Sequence, residues 1–309
     1  DILAHVDFDF LEKIGAPRGS MTLIDEERAH EIYSMMGPAT EMSGCSVANT
    51  VAGFAILGGS AAYIGRVRDD QLGEIFVHDM RSLGVDVRTA PAPSGAPTAR
   101  SHVLIDPEGQ RTMQTYLGTC TELGVADVTP ETVGSPRVIL LEGYVWDIPE
   151  GPELAAEAIR IGKERGAAVA LSPSDSLCVE RHLDAFTALV RDEVDLVLAD
   201  DDEVMALYGV DDFDGVLAAV EGRDNLFVMT RSEKGSVIVQ GDTRIEQDAV
   251  PVEVVDTTGA GDAYSAAFLY GWVTGSPLAE CARLGTHVAT SVIQQVGARI
   301  EPGVLSSFR

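Results

Sequence analysis

The residues best suited to chemistry lie in segment 256–264, which reads Asp-Thr-Thr-Gly-Ala-Gly-Asp-Ala-Tyr. A valine-rich run precedes this segment and small apolar residues follow it, which predicts a strand, a glycine turn and a helix. The first N–H groups of a helix have no partner within the helix, and they lie at the positive end of its dipole. We therefore expect Gly259, Ala260 and Gly261 to bind an anion, which glycine lets the backbone approach closely.

Asp262 follows this turn and would stand in the first helical turn beside the bound anion. A carboxylate next to a phosphoryl group can accept the proton of an attacking hydroxyl, and phosphoryl transfer otherwise requires mainly positioning and charge neutralisation. An acidic residue is also common in a first helical turn because it stabilises the helix dipole. This residue alone leaves both interpretations open.

The complete nine-residue segment, late in the chain and after a predicted strand, resembles the C-terminal signature of the ribokinase-like (phosphofructokinase-B type) family of carbohydrate and nucleoside kinases. The resemblance implies that Asp262 is the catalytic base and that Gly259, Ala260 and Gly261 form the anion hole. It also implies ATP as the phosphoryl donor, Mg²⁺ as its accompanying ion and Thr257 as part of the ATP site.

Segment 43–49, Ser-Gly-Cys-Ser-Val-Ala-Asn, resembles the family's acceptor-binding loop. Gly44 and Asn49 match the family, whereas Cys45 stands where a second glycine is usual, so its side chain would crowd the acceptor or require a positive φ. Asp1, in a segment predicted to end a strand of the central sheet, resembles the aspartate that binds acceptor hydroxyls. The resemblance implies that these four residues bind the substrate. The alternatives are a helix-start role for Asn49 and a frayed terminus for Asp1.

Segment 200–203, Asp-Asp-Asp-Glu, follows an apolar run that predicts a strand. The family has Asn-x-x-Glu here, so Glu203 matches and is implied to hold Mg²⁺ indirectly, through water, whereas Asp200 departs from the family. The resemblance implies that both residues belong to the ATP site, since Mg²⁺ prefers oxygen ligands. The alternative is an acidic first helical turn, which needs no metal.

After another apolar run the chain reads Thr-Arg-Ser-Glu-Lys-Gly, which resembles the family's Thr-x-Gly-x-x-Gly segment beside the ATP phosphates and ribose. Thr230 and Gly235 match, and Ser232 replaces the first glycine; a plain hairpin turn is the alternative. Gly285 and Thr286, in the last predicted helix, resemble residues that face adenine in adenosine kinases. Small residues are also typical of close helix packing.

Arg111 lies on the second strand of a predicted hairpin, where adenosine-kinase-like members of the family carry an arginine. The resemblance implies that Arg111 neutralises the transferred phosphoryl group, a role that suits its permanent charge and planar set of donors. A solvated strand arginine is the alternative.

Strand-like runs alternate with helical patterns along most of the chain, which predicts an α/β fold with a doubly wound, mostly parallel sheet flanked by helices. The predicted strands are 62–67, 137–141, 167–171, 196–199, 226–229 and 236–239. The predicted helices lie near 47–58, 70–83, 152–165, 182–191, 202–208, 213–221, 261–273 and 278–295. We expect a single domain, residues 1–309, that binds ligands at the carboxyl ends of its strands.

Two segments interrupt this alternation of strands and helices. Residues 98–105 and 111–116 flank a turn that contains proline and glycine, which predicts a β-hairpin, and residues 19–25 predict another short strand. The family resemblance implies that these segments form a small β-sheet lid, near residues 5–42 and 92–120, that closes over the acceptor.

The net charge of −27 and an isoelectric point near 4.4 argue against a nucleic-acid partner. No apolar run is long enough to span a membrane, and the first residues lack the features of a secretory signal. The cysteines, at positions 45, 120, 178 and 281, are spaced like neither a zinc site nor a disulfide framework. We therefore predict a cytoplasmic protein whose partners are small molecules.

Segments 19–25 and 110–116 look more like bacterial adenosine or nucleoside kinases than like ribokinases. The sequence thus predicts an ATP- and Mg²⁺-dependent kinase for a primary hydroxyl, such as the 5′-hydroxyl of adenosine, acting as a monomer or a homodimer. A sugar kinase of the same family is the first alternative, and a nucleotide-binding protein without turnover is the second. An NAD-dependent dehydrogenase is disfavoured, because its glycine motif follows an early strand.

Overall fold

The structure, a computed structural model, describes residues 1–308. The strands, in chain order, are β1 (Ile2–His5), β2 (Met21–Leu23), β3 (Thr40–Glu41), β4 (Ala61–Tyr63), β5 (Val85–Val87), β6 (Arg100–Ile105), β7 (Arg111–Tyr116), β8 (Val138–Glu142), β9 (Ala168–Ser172), β10 (Leu196–Asp200), β11 (Leu226–Thr230), β12 (Ser236–Gln240) and β13 (Thr243–Gln247). The α-helices are α1 (Phe8–Ile14), α2 (Glu26–Met35), α3 (Ser46–Ile56), α4 (Gln71–Ser82), α5 (Pro130–Val133), α6 (Gly151–Glu164), α7 (Ser176–Arg181), α8 (Leu183–Asp192), α9 (Asp201–Tyr208), α10 (Phe213–Val220), α11 (Ala260–Thr274) and α12 (Leu278–Val292). None of the helices in this described range is long and apolar enough to cross a membrane.

The main sheet has its strands in the order β13-β12-β11-β10-β9-β8. Strands β8 to β11 run parallel to one another, whereas β12 and β13 are antiparallel to their neighbours. Asp200 pairs with Thr230, and Glu142 pairs with Ser172, so the parallel strands end along one edge of the sheet. The predicted doubly wound α/β fold is confirmed, and polar residues end several strands at the edge where such folds bind ligands.

A smaller sheet has the order β2-β7-β6-β1-β3. Strands β6 and β7 form the predicted hairpin, in which Ile105 pairs with Arg111. β1 pairs with β6 in parallel and with β3 in antiparallel orientation, so the prediction that the first residues end a strand of the central sheet is wrong. The physical reason is local packing, because Leu3 belongs to an apolar cluster with Val103 and Ile105 of the smaller sheet.

The predicted strand at 62–67 forms only the short strand β4, which pairs with β5 in a separate two-stranded sheet. Val85 and Val87 of β5 belong to an apolar cluster with Val77 and Met80 of α4. This local packing stabilises β4 and β5 away from the pairing of the main sheet.

Apolar side chains cover both faces of the main sheet, which explains the nearly continuous apolar runs of its strands. On one face, Val197 lies in a cluster with Phe186 and Phe227 that also includes side chains of α6 to α10. On the other face, Leu198 lies in a cluster with Phe268 of α11. The helices are therefore held on both sides of the sheet by hydrophobic burial.

Helix α11 packs closely against α3 because small residues lie at their contact. Ala263, Ala266 and Ala267 of α11 are buried. A Cβ atom added to Gly53 of α3 would lie 2.9 Å from the Cβ of Ala266, closer than side chains approach in folded proteins. This close contact brings the first turns of α3 and α11 together.

His102 of β6 is 0% exposed, and neither of its ring nitrogens has a hydrogen-bond partner among residues 1–308. Burial and the charge of Arg100 lower the pKa of His102 from 6.5 to about 4. Between pH 4 and pH 6.5, His102 therefore binds a proton more readily in the unfolded chain than in the folded protein. The stabilising effect of a neutral His102 is present above pH 6.5 and is lost as the pH falls toward 4.

We expect the free energy of unfolding to decrease less on acidification in His102→Leu than in wild type. The difference at low pH should be no more than about 3 kcal/mol, since one pKa unit corresponds to about 1.4 kcal/mol. Urea unfolding at a series of pH values between neutrality and acid measures this effect. His5→Leu changes an exposed histidine on the neighbouring strand and serves as the control. An unchanged pH dependence in His102→Leu would contradict the assignment.

Candidate active site

A cavity of about 1810 Å³ lies between the smaller sheet and the carboxyl edge of the main sheet. Its wall includes Asp1 and Arg111 from the smaller sheet's side, Glu142 and Thr230 from the ends of main-sheet strands, and Asp262 from α11. The fold thus brings residues from distant parts of the chain into one cavity, which includes most of the predicted site residues.

Asp262 lies in the first turn of α11 and is held by two side chains of α3. The Ser46 hydroxyl donates a hydrogen bond to one carboxylate oxygen at 2.7 Å, and the Asn49 amide donates to the other at 2.8 Å. Burial raises the pKa of Asp262 above its ordinary value, although these hydrogen bonds and the charges of Arg111 and Arg299 oppose the rise. The carboxylate is fixed in orientation, and each oxygen retains a further lone pair for a proton.

The glycine turn (residues 257–261) leads directly into α11. The strand predicted in the valine-rich run before the turn is wrong, because residues 252–255 pair with no strand and the Val255 N–H donates to the carbonyl of Ile293 at 2.8 Å. Gly259 has φ 73° and is the N-cap, and a Cβ atom there would collide with Ala298, so the position requires glycine. Ala260 donates its N–H to the carbonyl of Thr257 at 3.2 Å. Of the predicted anion-hole donors, Ala260 is therefore engaged within the turn. The first-turn N–H groups of Gly261 and Asp262 remain available to an anion.

Arg111 of β7 lies beside the same carboxylate. Burial lowers its pKa, while the charges of Asp256 and Asp262 oppose this change. Among residues 1–308, no acidic side chain forms an ion pair with Arg111. Because a guanidinium keeps its proton even when buried, Arg111 presents a positive charge to the cavity without a salt-bridge partner.

The acceptor loop (residues 43–49) contains a residue other than glycine that has a positive φ. Cys45 has φ 82° and ψ 136°, in a region of backbone conformation that strongly favours glycine. A Cβ atom on Gly44 would collide with the carboxylate of Asp1, so this position requires glycine for space. Asp1, Gly44, Cys45 and Asn49 all line the cavity, and their binding of the substrate stays a prediction.

Glu142, which the sequence analysis missed, lies at the end of β8 in the same part of the cavity. Its carboxylate accepts a hydrogen bond from the Val47 N–H at 3.3 Å and lies 3.3 Å from the Cys45 sulfur. Burial raises the pKa of Glu142, and the nearby charge of Asp262 raises it further. Its position directly after a predicted parallel strand was the available signal. Ser46 was also missed, although it lies within the acceptor loop.

Asp200 and Glu203 form a capping box at the start of α9. Glu203 donates its N–H to the Asp200 carboxylate at 2.8 Å, and Asp200 donates its N–H to the Glu203 carboxylate at 2.9 Å. This geometry gives both residues the structural role that was the alternative at the sequence level. Burial raises the pKa of Glu203 well above its ordinary value, and the charge of Asp200 adds to the rise. Both carboxyl groups still line the cavity.

The other residues predicted for the ATP site lie in the cavity wall, with one exception. Residues that line the cavity are Thr230, Ser232, Gly235, Thr257 and Thr286. Ser232 has φ 48°, as expected where the family has glycine. Gly285 does not line the cavity, because its Cα faces the ring of Tyr264. The close-packing alternative therefore accounts for Gly285.

The protein side chains around the cavity do not form a cage for Mg²⁺. In the described part of the chain, the side chains that could together hold an ion are Asp147, Cys178 and His182, a group that does not include Glu203. Asp147 already accepts hydrogen bonds from Arg181 and His182. The lining is compatible with a Mg²⁺ ion bound chiefly by phosphate oxygens and water, and a contact of Glu203 with that ion through water stays a prediction.

Comparison with known proteins agrees with the fold and the cavity. The model of the pfkB family of carbohydrate kinases matches residues 40–302. The chain therefore belongs to the pfkB family, and it is an ATP-dependent kinase of the sugar and nucleoside kinase class.

Three relatives illustrate the range of this similarity. The crystal structure of an adenosine kinase from Sinorhizobium meliloti has 47% identity and a TM-score of 0.95, over 99% of this chain and 94% of that one. A "probable sugar kinase protein" from Rhizobium etli has 43% identity and the same TM-score and coverage, 0.95, 99% and 94%. An ATP-dependent ribose-1-phosphate kinase from Halopiger xanaduensis is 29% identical over 85% of this chain and 84% of its own length.

We expect Cys45→Gly to increase the free energy of unfolding by about 1 kcal/mol, because glycine relieves a conformation that costs other residues about 1–3 kcal/mol. The gain is reduced by the greater freedom of glycine in the unfolded chain. Urea unfolding measures the difference. Cys45→Ala is the matched control, since it removes the sulfur but retains the strained Cβ. Equal stability of the two variants would show that strain is unimportant here.

Proposed function

We propose that this kinase transfers the γ-phosphoryl group of ATP to the 5′-hydroxyl of a nucleoside such as adenosine. The observation that carries the proposal is the meeting of Asp262, the glycine turn and the acceptor loop in one cavity. The 47% identity with an adenosine kinase over nearly the whole chain favours a nucleoside as the acceptor.

Asp262 is the proposed base that takes the proton from the acceptor hydroxyl. Its carboxylate is oriented by Ser46 and Asn49, so it does not have to rotate when an acceptor binds. The pKa of Asp262 is raised by burial, which brings it closer to the working pH and strengthens it as a base. Proton transfer and attack can then occur together.

Charge on the transferred phosphoryl group would be stabilised by the start of α11 and by Arg111. The N–H groups of Gly261 and Asp262 lie at the positive end of the helix dipole. Arg111 adds a full positive charge from β7, and its burial keeps competing water away. These groups act most strongly where negative charge develops during transfer.

The acceptor would bind beside Asp1, Gly44, Asn49 and Glu142. The Asn49 amide oxygen is buried and has no hydrogen-bond partner in residues 1–308, so it can accept a hydrogen bond from an acceptor hydroxyl. Glu142 offers carboxylate oxygens close to the base. Two such acceptors suit the vicinal hydroxyls of a ribose ring.

ATP would lie along the opposite part of the wall, near Thr230, Ser232, Gly235 and Thr286. Val250, Val254 and their neighbours are exposed to this part of the cavity and could cover an apolar base face. Mg²⁺, when bound with ATP, neutralises phosphate charge.

The smaller sheet covers the site and is the proposed lid, which would exclude water so that ATP is not hydrolysed. We further propose a cytoplasmic monomer or homodimer.

A sugar kinase is the second candidate, and it is favoured by the similarity to the "probable sugar kinase protein" from Rhizobium etli and to the ribose-1-phosphate kinase. The hydroxyl-binding residues proposed here would suit either acceptor. The two functions differ in whether the cavity must also hold a nucleobase.

We expect Mg-ATP to yield ADP rapidly with adenosine or another nucleoside, and slowly with ribose or fructose. Asp262→Asn should lower turnover by about 10²–10⁴-fold, the usual contribution of a positioned base, without preventing ATP binding. A coupled ADP assay with each acceptor measures both effects. ADP release with sugars alone would support the second candidate. ATP binding without any acceptor-dependent release would contradict the proposed reaction.

The pH dependence provides a separate test of Asp262. We expect kcat/KM to fall as the pH drops through the pKa of Asp262, and this acid limb should lie above 3.8 because burial raises the pKa. Ser46→Ala removes a hydrogen bond to the carboxylate and should move the limb to higher pH. Ser82→Ala, on the exposed end of α4, is the control. An unmoved limb in Ser46→Ala would argue against Asp262 as the titrating base.

A further inference from the structure

Arg299, which follows α12, holds the acceptor loop from behind. Its Nη1 donates to the carbonyl of Ala48 at 3.2 Å, and its Nη2 donates to the carbonyl of Ser43 at 3.0 Å and to the Ser43 hydroxyl at 2.6 Å. These groups lie on both sides of Gly44 and Cys45. One guanidinium therefore fixes the two ends of the segment that lines the acceptor part of the cavity.

Ser43 is held from a second direction by Asp79 of α4. The Asp79 carboxylate accepts hydrogen bonds from the Ser43 hydroxyl at 2.8 Å and from the Ser43 N–H at 3.3 Å. Ser43 is 4% exposed and lies between the acid and the arginine. The start of the acceptor loop is thus fixed by a partly buried, charge-assisted network.

The residues just before Arg299 contact the glycine turn. Gly297 donates its N–H to the Asp256 carboxylate at 2.8 Å, and that carboxylate also accepts the N–H of Thr258 at 2.9 Å. Ala298 packs so closely on Gly259 that a Cβ atom could not be added there. Three consecutive residues therefore connect the glycine turn on one side with the acceptor loop on the other.

We propose that Arg299 is a positioning residue for phosphoryl transfer, which sets the acceptor loop at its working distance from the glycine turn and Asp262. The role rests on the proposed kinase reaction and adds a residue that touches neither reactant. A misplacement of about 1 Å between reacting groups can cost about 10²-fold in rate. The planar guanidinium spans two separate carbonyls, which a lysine ammonium cannot do with the same geometry.

The charge of Arg299 has a second effect, on the base itself. Charged groups that face Asp262 are Arg111 from β7, Glu142 from β8, Glu203 from α9 and Arg299. Arg299 lowers the pKa of Asp262 and so opposes the effect of burial. Its geometric and electrostatic effects can be separated, because lysine retains the charge and methionine does not.

The test compares Arg299→Lys and Arg299→Met with wild type, using the acceptor that supports ADP release. We expect both variants to lower kcat/KM for the acceptor by about 10²-fold, while KM for ATP changes much less. Only Arg299→Met should move the acid limb of kcat/KM to higher pH. Arg165→Met is the control, since Arg165 also donates to two backbone carbonyls, of Pro130 and Gly134, and none of these three residues lines the cavity.

A readout without turnover tests the same role. Cys45 is the exposed cysteine of the described chain, so its reaction with a thiol reagent reports the mobility of the acceptor loop. We expect this reaction to be faster in both Arg299 variants than in wild type and Arg165→Met, with Cys45→Ala as the blank. Thermal unfolding verifies that the variants fold, and Arg299→Lys carries the test if Arg299→Met does not.

The two proposals fail in different ways. Absence of acceptor-dependent ADP release in wild type would contradict the kinase substrate proposed above, and the thiol reaction would still test Arg299. Kinetic constants and thiol reactivity in the Arg299 variants that match those of Arg165→Met would overturn the positioning role. An equal loss of acceptor and ATP affinity would also overturn it, because that result indicates general destabilisation of the site.

Discussion

The packing of α3 against α11 is the contact on which the rest of the site depends. Gly53 and Ala266 let the helices approach closely, and their first turns then hold Ser46, Asn49 and Asp262 together. The hydrogen bonds to the Asp262 carboxylate are 2.7 and 2.8 Å long, so a displacement of about 1 Å would break them. Small apolar residues in the helix contact therefore determine the orientation of the proposed base.

The second constraint is electrostatic. An ATP-dependent kinase must bind phosphates, and in a protein with a net charge of −27 this requires positive groups close to the site. Arg111 approaches from the smaller sheet, Arg299 supports the acceptor loop, and α11 contributes its positive end. Burial raises the pKa of both Glu142 and Glu203.

Several site residues could be predicted because their motifs are local. The glycine turn and Asp262 follow from one segment, and the positive φ expected at Cys45 is observed at 82°. Glu142 and Arg299 belong to no short motif, and their roles depend on distant segments that they contact. The capping box of Asp200 and Glu203 supplies a structural reason for residues that the family resemblance had associated with ATP.

The sequence by itself determined the alternating α/β elements, the membership of the kinase family and the glycine turn and helix around Asp262. These features depend on local spacing, propensity and backbone freedom. Only the tertiary structure decided that β1 joins the smaller sheet, and that Asn49 and Ser46 hold a carboxylate 213 and 216 residues away. Such contacts depend on how whole elements pack. Local sequence does not specify that packing, because many pairings would bury similar apolar area.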